Sequence, residues 1–431
     1  MNRDFATGVP FGFGTLPETK FPADTMIPRS TILALLVLTP ALAAEPLHLY
    51  ELRTTDPKEN RIVQGALSPE GTVTIDGAKF PVGDLVSLRA TKTPLPPLPA
   101  EAHIVLANGD RIAGEVVGGD GLTIRVAAMF GAAGKATELS LPLSAVAAIW
   151  LVPPPQDAPL DAAKYAWVDP AKKQDALKLR NGDIVRGTLE RFAAASGPLR
   201  FKAVGETTAK PFDLNKVAAL AFDPALSRVK TPTGQHFRIV TRSGSRLTLT
   251  AASFDGLAFS GTASTGAKFK MPQSELVALD TVGGKVTMLA ERKPKSLKVE
   301  PFGSVDWPPV VNRSVRDAPL RLATRFGDET YDRGVGMHSK TTATYDLAGK
   351  FRTFTATVGL DRVSGRQGIA DVRILLDGKE QNIAGLKGLT TVAVEIHLDV
   401  SGAKELALIV DFGPGGDVQD DVNWADAKLI E

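Results

Sequence analysis

Along most of the chain apolar and polar residues alternate with a period of two. Leu122-Thr123-Ile124-Arg125-Val126 is one such run, and Val372, Ile374 and Leu376 or Leu406, Leu408 and Val410 repeat the pattern near the C-terminus. A period of two puts apolar side chains on one face of an extended segment, which predicts half-buried β-strands. Before residue 290 the strands recur in a fixed order. An apolar strand runs into a tight turn, a second strand carries a glycine, and an apolar-polar alternation closes the set. The openings carry Asn108-Gly109, Asn181-Gly182 and Ser243-Gly244 between apolar runs. The closings are Leu139 to Leu143 with Val146 and Ile149, Phe212 to Leu214 with Val217 and Leu220, and Phe269 to Met271 with Leu276 and Leu279. A degenerate first copy closes on Phe80-Pro81-Val82 with Leu85 and Leu88. Such self-similarity predicts repeated units. Four are expected, at 44–92, 100–152, 175–224 and 235–284, each of about five strands. Asn-Gly between apolar runs predicts a hairpin with positive φ at both turn positions.

From about residue 300 the texture changes to more strands in close succession with Gly-, Asp- and Ser-bearing loops, which predicts a β-sandwich over 300–431. The whole chain is therefore expected to be all-β: tandem small units that resemble SH3-like or Sm-like barrels, followed by a C-terminal jelly-roll β-sandwich. Between the pieces, 93–99 reads as a polyproline spacer. Residues 161–173 read as one short helix, and the Lys-rich run 293–298 as a solvated linker.

Composition narrows the partners. With 431 residues, 43% hydrophobic and 23% charged, the chain is a globular one. A net charge of +2 gives no reason to expect nucleic acid or a membrane surface as partner. No cysteine is present, which excludes disulfides, thiolate metal sites and cysteine catalysis. Arg29, the apolar run from Ile32 to Leu38 and Ala41-Leu42-Ala43 follow the plan of a secretory signal peptide. The run is too short to span a bilayer. The signal is expected at 26–43, opening at Met26, with 1–25 an upstream extension. The mature chain is then expected to be exported, to the periplasm, cell envelope or beyond, without a membrane span.

The stretch 331–340, Tyr-Asp-Arg-Gly-Val-Gly-Met-His-Ser-Lys, concentrates the candidate chemistry. Gly334 and Gly336 are expected to serve backbone geometry. Neutral His338 offers one donor and one acceptor, to a ligand hydroxyl or to a neighbouring loop. Trp424 offers a flat apolar face for stacking on a ligand, or a core side chain. Asp361 and Asp377-Gly378 have the chemistry of turns, and Gly359 is expected to be structural. Asp417, Asp420 and Asp421 form an oxygen-rich loop of the kind that suits Ca²⁺.

These residues, with 345–351, Phe354, Gly368 and 421–429, resemble the NPCBM family of carbohydrate-binding modules over most of 300–431. The resemblance implies a galactose-binding-like jelly roll, a galactose-containing glycan as partner and a structural Ca²⁺ as candidate cofactor. It marks His338, Trp424, Asp361, Asp421 and Asn423 as candidate ligand contacts. Family members commonly end Asp-His-x-Asp-Trp-Ala-Asp-Ala. Asp420 and Trp424-Ala425-Asp426-Ala427 fit, whereas Asp421 replaces the histidine and Asn423 the acid before the tryptophan.

No nucleophile elbow, zinc-protease helix, phosphate loop or dinucleotide fingerprint occurs, and the five histidines, His48, His103, His236, His338 and His397, are scattered. No catalytic residue is expected. The leading expectation is an exported, non-catalytic protein whose sandwich binds a galactose-like sugar, with the repeats as scaffold. The alternative is a structural or protein-interaction component of the cell envelope whose sandwich has lost its sugar site. A glycoside hydrolase or its accessory subunit, using a pair such as His338–Asp361 or His338–Asp421, is a weaker third.

Overall fold

The computed structural model describes residues 49–431 except positions 57, 59, 64, 68–71, 76–77, 131–135, 193–197, 256, 304, 366 and 391. The expected signal segment and upstream extension lie outside the described residues. What is described is all-β: antiparallel strands joined by turns and 3-10 turns, with no α-helix among the described residues. No helix there is long and apolar enough to cross a membrane.

The second repeat shows how the sequence pattern becomes structure. His103–Leu106, Arg111–Gly119, Thr123–Ala128 and Thr137–Pro142 form a meander. A 3-10 turn at Leu143–Ala145 then lets Val146–Trp150 return to pair with the first strand, Ile149 opposite Ile104. Alternation buries Ile104, Leu106, Ile112, Ile124, Val126, Leu141 and Ile149 in one core. The closing strands Val217–Ala221, Leu276–Val282 and Leu85–Ala90 follow the same plan in their own repeats. Closing strands also pair with each other. Ile149 faces Leu220, joining the second repeat to the third, and Leu88 faces Leu279, joining the first to the fourth.

Four expectations need correction. In the Asn-Gly turns only glycine has positive φ, +85° at Gly109 and +94° at Gly182. The asparagine instead uses its side chain: Asn108 and Asn181 Oδ1 accept from the backbone N–H of Asp110 and Asp183, both at 3.1 Å. The 93–99 segment is no free spacer, because Arg246 donates to the carbonyls of Pro96 (2.5 Å) and Pro97 (3.0 Å). Residues 161–173 form two 3-10 turns, Ala162–Lys164 and Pro170–Lys172, capped by Asp161 and Asp169. A continuous helix would scatter the aromatics that pack here. Trp150 Nε1 donates to Tyr165 at 3.2 Å, and Tyr165 stacks on Trp167 with centroids 5.6 Å apart. Finally, the run 293–298 overlaps Ser296–Val299, an edge strand paired with Thr341–Asp346. Val286–Met288 pairs with the last strand, Asp421–Ile430, so the sandwich draws on residues before 300.

One sheet of the sandwich runs Val310–Val311, Gly334–His338, Asp421–Ile430, Thr353–Leu360, Val394–Asp399. The other runs Ser296–Val299, Thr341–Asp346, Glu405–Phe412, Ala370–Leu376, Lys379–Glu380. Val335, Met337, Phe354, Val358, Val372, Ile374, Leu408, Val422 and Trp424 fill the space between. The sandwich sits on the repeats through a matched ion network. Lys428 Nζ lies 2.7 Å from Asp280 and 2.9 Å from Asp426, and Arg89 Nη2 lies 3.1 Å from Asp280 and 2.9 Å from Asp426. Two cations meet two carboxylates, as buried charge requires.

Candidate functional site

The register of the last strand sorts the candidate residues onto two faces. His338 pairs with Asp421, Gly336 with Asn423 and Val335 with Trp424. Gly359 flanks Asn423 from the other side, and Val358 flanks Trp424. Successive side chains point to opposite faces. Val422 and Trp424 therefore enter the core, while Asp421 and Asn423 share the outer face with His338.

That outer face is roofed. The loop at 312–319 lies on it, close enough that a Cβ at Gly336 would stand 2.6 Å from the Arg313 carbonyl oxygen and 2.8 Å from Ser314 Cα. A Cβ at Gly359 would stand 2.9 Å from that of Ala393. Both glycines thus permit close cover. At this contact Ser314 of the loop is buried together with Asp361 and Asn423. Burial raises the Asp361 carboxyl above its ordinary range, against a hydrogen bond from the Val363 N–H.

At the end of the strand His338 and Asp421, 4% and 0% exposed, meet Arg316 and Trp307. His338 Nδ1 lies 2.6 Å from Asp421 Oδ1, and Arg316 Nε lies 2.8 Å from Asp421 Oδ2. The Arg316 guanidinium lies over the Trp307 ring at 4.2 Å, and the Trp307 and His338 rings are 5.8 Å apart. Burial pushes the Asp421 carboxyl up, but hydrogen bonds from His338, Ser364 and Arg316 and the Arg316 charge outweigh it and hold it low. As a carboxylate Asp421 only accepts, so Nδ1 donates and Nε2 is left for another partner. The half-exposed Asp417 carboxylate stands 3.9 Å from Nε2. No hydroxyl hydrogen-bonds Nε2 among the described residues. Beside this loop Phe302 is 68% exposed and packs edge-on against Phe412, 5.6 Å between centroids.

Two site expectations change. Trp424 is fully buried, so its faces are covered by the core and not open for stacking. Asp417, Asp420 and Asp421 do not converge as a Ca²⁺ site, and no metal-holding cluster of three occurs among the described residues. The physical reason is strand alternation. Asp421 turns to His338 and Arg316, whereas Asp420 accepts from the Ile369 N–H (3.0 Å) and the Ser339 hydroxyl (3.3 Å). Burial pushes the Asp420 carboxyl up to about 6 despite these bonds.

The remaining marked residues shape backbone. Gly334 has φ +149°, with Trp424 O 2.4 Å from where its Cβ would be. Asp377 and Gly378, both at positive φ, turn Ala370–Leu376 into Lys379–Glu380, and Asp377 Oδ1 accepts from the N–H groups of Lys404 and Glu405 at 2.9 and 2.8 Å. Sequence reasoning missed Trp307, Arg316 and Ser314. The available signal was a tryptophan in a loop, followed by Pro308-Pro309, where core packing is not the default.

The comparisons with known proteins bear on this domain. Residues 294–430 match the NPCBM/NEW2 domain family, and the C-terminal sandwich is a member of that carbohydrate-binding family. A protein of Renibacterium salmoninarum named for endo-alpha-N-acetylgalactosaminidase activity is 28% identical over 112 residues, covering 26% of this chain. The match spans only 7% of that protein's length. Among solved structures, the CBM51 of Clostridium perfringens GH95, in complex with methyl-galactose, is 24% identical, covering 33% of this chain and 99% of that chain at a TM-score of 0.30. The CBM51-2 and INT domains of Clostridium perfringens ZmpB, in complex with GlcNAc, are 23% identical, covering 45% of this chain and 43% of that chain at a TM-score of 0.31.

Proposed function

We propose that the C-terminal sandwich binds a terminal galactose-like sugar at the surface over His338. In this reading the four β units hold the sandwich, and the chain works outside the cell without catalysing a reaction. The family of residues 294–430 supports a sugar-binding role. The observation that supports this location is the group Trp307, Arg316, His338 and Asp417. It combines an apolar ring, a guanidinium, an imidazole whose Nδ1 is fixed by Asp421, and a half-exposed carboxylate. Sugars present vicinal hydroxyls and an apolar ring face, and these groups match both. Asp421, which replaces the family histidine, orients His338, and Asn423 lies beneath the roof without reaching the surface.

Few groups are exposed, so affinity is expected to be millimolar and to gain from several copies on one surface. Calorimetric titration of the full chain with methyl α- and β-galactosides and GlcNAc tests this. Galactoside binding weakened at least about tenfold by Trp307→Ala and by His338→Ala is the expected result. Absence of binding at about 10 mM, which corresponds to under about 3 kcal/mol, overturns it. So does unchanged affinity in both variants. The burial of His338, Asn423 and Trp424 favours a second reading, an envelope component whose sandwich has lost its sugar site. A folded chain that binds no sugar is the outcome that selects it.

A further inference from the structure

A cavity of about 460 Å³ lies where the second and fourth β units meet the sandwich, a size that holds small organic ligands. Five arginines line it, Arg111, Arg238, Arg246, Arg313 and Arg333, against two aspartates, Asp161 and Asp332. Two of the five cations are matched. Arg238 pairs with Asp332 and lies 3.2 Å from Asp110, and Arg313 lies 2.8 Å from Asp317. The Asp161 carboxylate is spent on the Ala163 N–H, at 3.0 Å.

The other three have no carboxylate at ion-pair distance among the described residues. Arg111 is 7% exposed; its Nη2 donates to the Leu160 carbonyl at 2.7 Å, and its Nη1 lies 3.4 Å from His103 Nε2. Arg246 is 1% exposed and donates only to carbonyls, those of Pro96, Pro97, Gly244 and Thr330. Its Nε is buried with no partner among the described residues. Arg333 is half-buried in the same wall. Burial lowers the guanidinium of Arg111 and brings that of Arg246 to about 10; the Arg238 charge, then burial, lowers Arg333. The single Asp332 carboxylate, already paired with Arg238, offsets only part of this at Arg246 and Arg333. The Lys428–Asp280–Arg89–Asp426 network shows the contrast, since there every cation has its carboxylates. A buried cation without a counter-ion is unfavourable, and an anion entering from solvent relieves it.

We propose that this cavity binds a small molecule bearing an oxyanion, a carboxylate or a sulfate or phosphate ester, whose charge is the counter-ion that Arg111, Arg246 and Arg333 lack. Guanidinium is the side chain best shaped for such groups. Apolar wall from Val105, Leu160 and Phe222 leaves room for the ligand's carbon skeleton. Solvent reaches the cavity's edge at Ala107, Gly109, Asp161 and Val311, all exposed. The site is separate from the surface over His338 and does not depend on sugar binding there.

The test is calorimetric titration of the full chain at constant ionic strength with galacturonate, galactose 6-sulfate, galactose 6-phosphate and inorganic sulfate. Neutral galactose and chloride are the controls. At least one oxyanion is expected to bind, and which one distinguishes carboxylate from ester. Arg333→Gln is expected to weaken it about tenfold. Ala107→Glu adds a negative charge at the exposed edge, leaves every buried contact in place and is expected to weaken it likewise. No binding of any oxyanion at about 10 mM overturns the proposal, as does affinity unchanged in both variants.

Discussion

Replacing Asp420 by asparagine should stabilise the protein, and only above acid pH. In the folded chain the Asp420 carboxyl is raised from 3.8 to about 6, by burial first, against hydrogen bonds from the Ile369 and Gly413 N–H groups and Ser339 and the charge of His338. A raised acid binds its proton more tightly folded than unfolded. Its contribution to stability is therefore present below about 3.8 and is lost as pH rises through about 6. The full shift corresponds to about 3 kcal/mol. The side chain is 1% exposed, yet the loop around it is half open to solvent, so screening reduces the figure to about 1–2 kcal/mol. Asparagine keeps the carbonyl acceptor for the Ile369 N–H and carries no charge. Urea denaturation of the wild-type and Asp420→Asn chains between pH 3.5 and pH 8 reads the effect. The stability difference should be near zero at the acid end, grow in favour of the variant up to about pH 6 and then level off. A constant difference across that range, or a variant less stable at pH 8, would refute the reasoning.

Asp280→Asn leaves the nearly buried Lys428 and Arg89 to share Asp426 alone, and is expected to cost about 3–5 kcal/mol in urea denaturation; a loss below about 1 kcal/mol would show the network to be solvated. Trp424→Ala removes a fully buried ring between Val335 and Val358 and is expected to cost about 3–5 kcal/mol. If Trp424 instead met ligand, the variant would lose sugar affinity at unchanged stability. Gly336→Ala drives a methyl to within 2.6 Å of the Arg313 carbonyl and should lift the 312–319 loop. About 1–3 kcal/mol of stability is expected to go with it, together with galactoside affinity, because Arg316 rides on that loop.

The all-β architecture was legible because period-two alternation is a local signal. Ile104, Leu106 and Ile112 point inward in the structure as their spacing demands, and so do Leu406, Leu408 and Val410. The same rule, applied across the last strand, decides between the two roles open to Trp424. It shares parity with Val422, and both lie opposite Asp421 and Asn423. What local signals do not carry is which strands meet. The pairing of Ile149 with Leu220, and of Leu88 with Leu279, joins segments far apart in sequence. The site suffers the same limit. His338 and Asp421 are 83 positions apart, and Arg316 and Asp421 are 105 apart. Gly336 looked like a strand-shaping residue and is one, but its closer task is to admit the loop that roofs Asn423. The loop carrying Asp417 and Asp420 looked like a cation site by composition. The alternation at Asp420 and Asp421 sends the two carboxylates apart.

The proposed sugar surface and the arginine-lined cavity lie at the two ends of one short strand. His338 closes Gly334–His338, and Arg333 immediately precedes it. Five residues of strand separate them by about 17 Å. Coupling between two sites needs an element with two arrangements that both ligands bias. This strand is a poor candidate for one. It is hydrogen-bonded on one side to Val310–Val311 and along its whole length to Asp421–Ile430 on the other. That partner strand is fixed in turn by Trp424 in the core and by Lys428 in the ion network. Occupying the cavity should therefore leave galactoside affinity within about twofold of its value in the oxyanion-free chain. The Kd for methyl galactoside, with and without a saturating oxyanion at constant ionic strength, measures it. A change of tenfold or more would mean that Gly334–His338 shifts as a unit between two packings, and that its pairing with the last strand is looser than these contacts require.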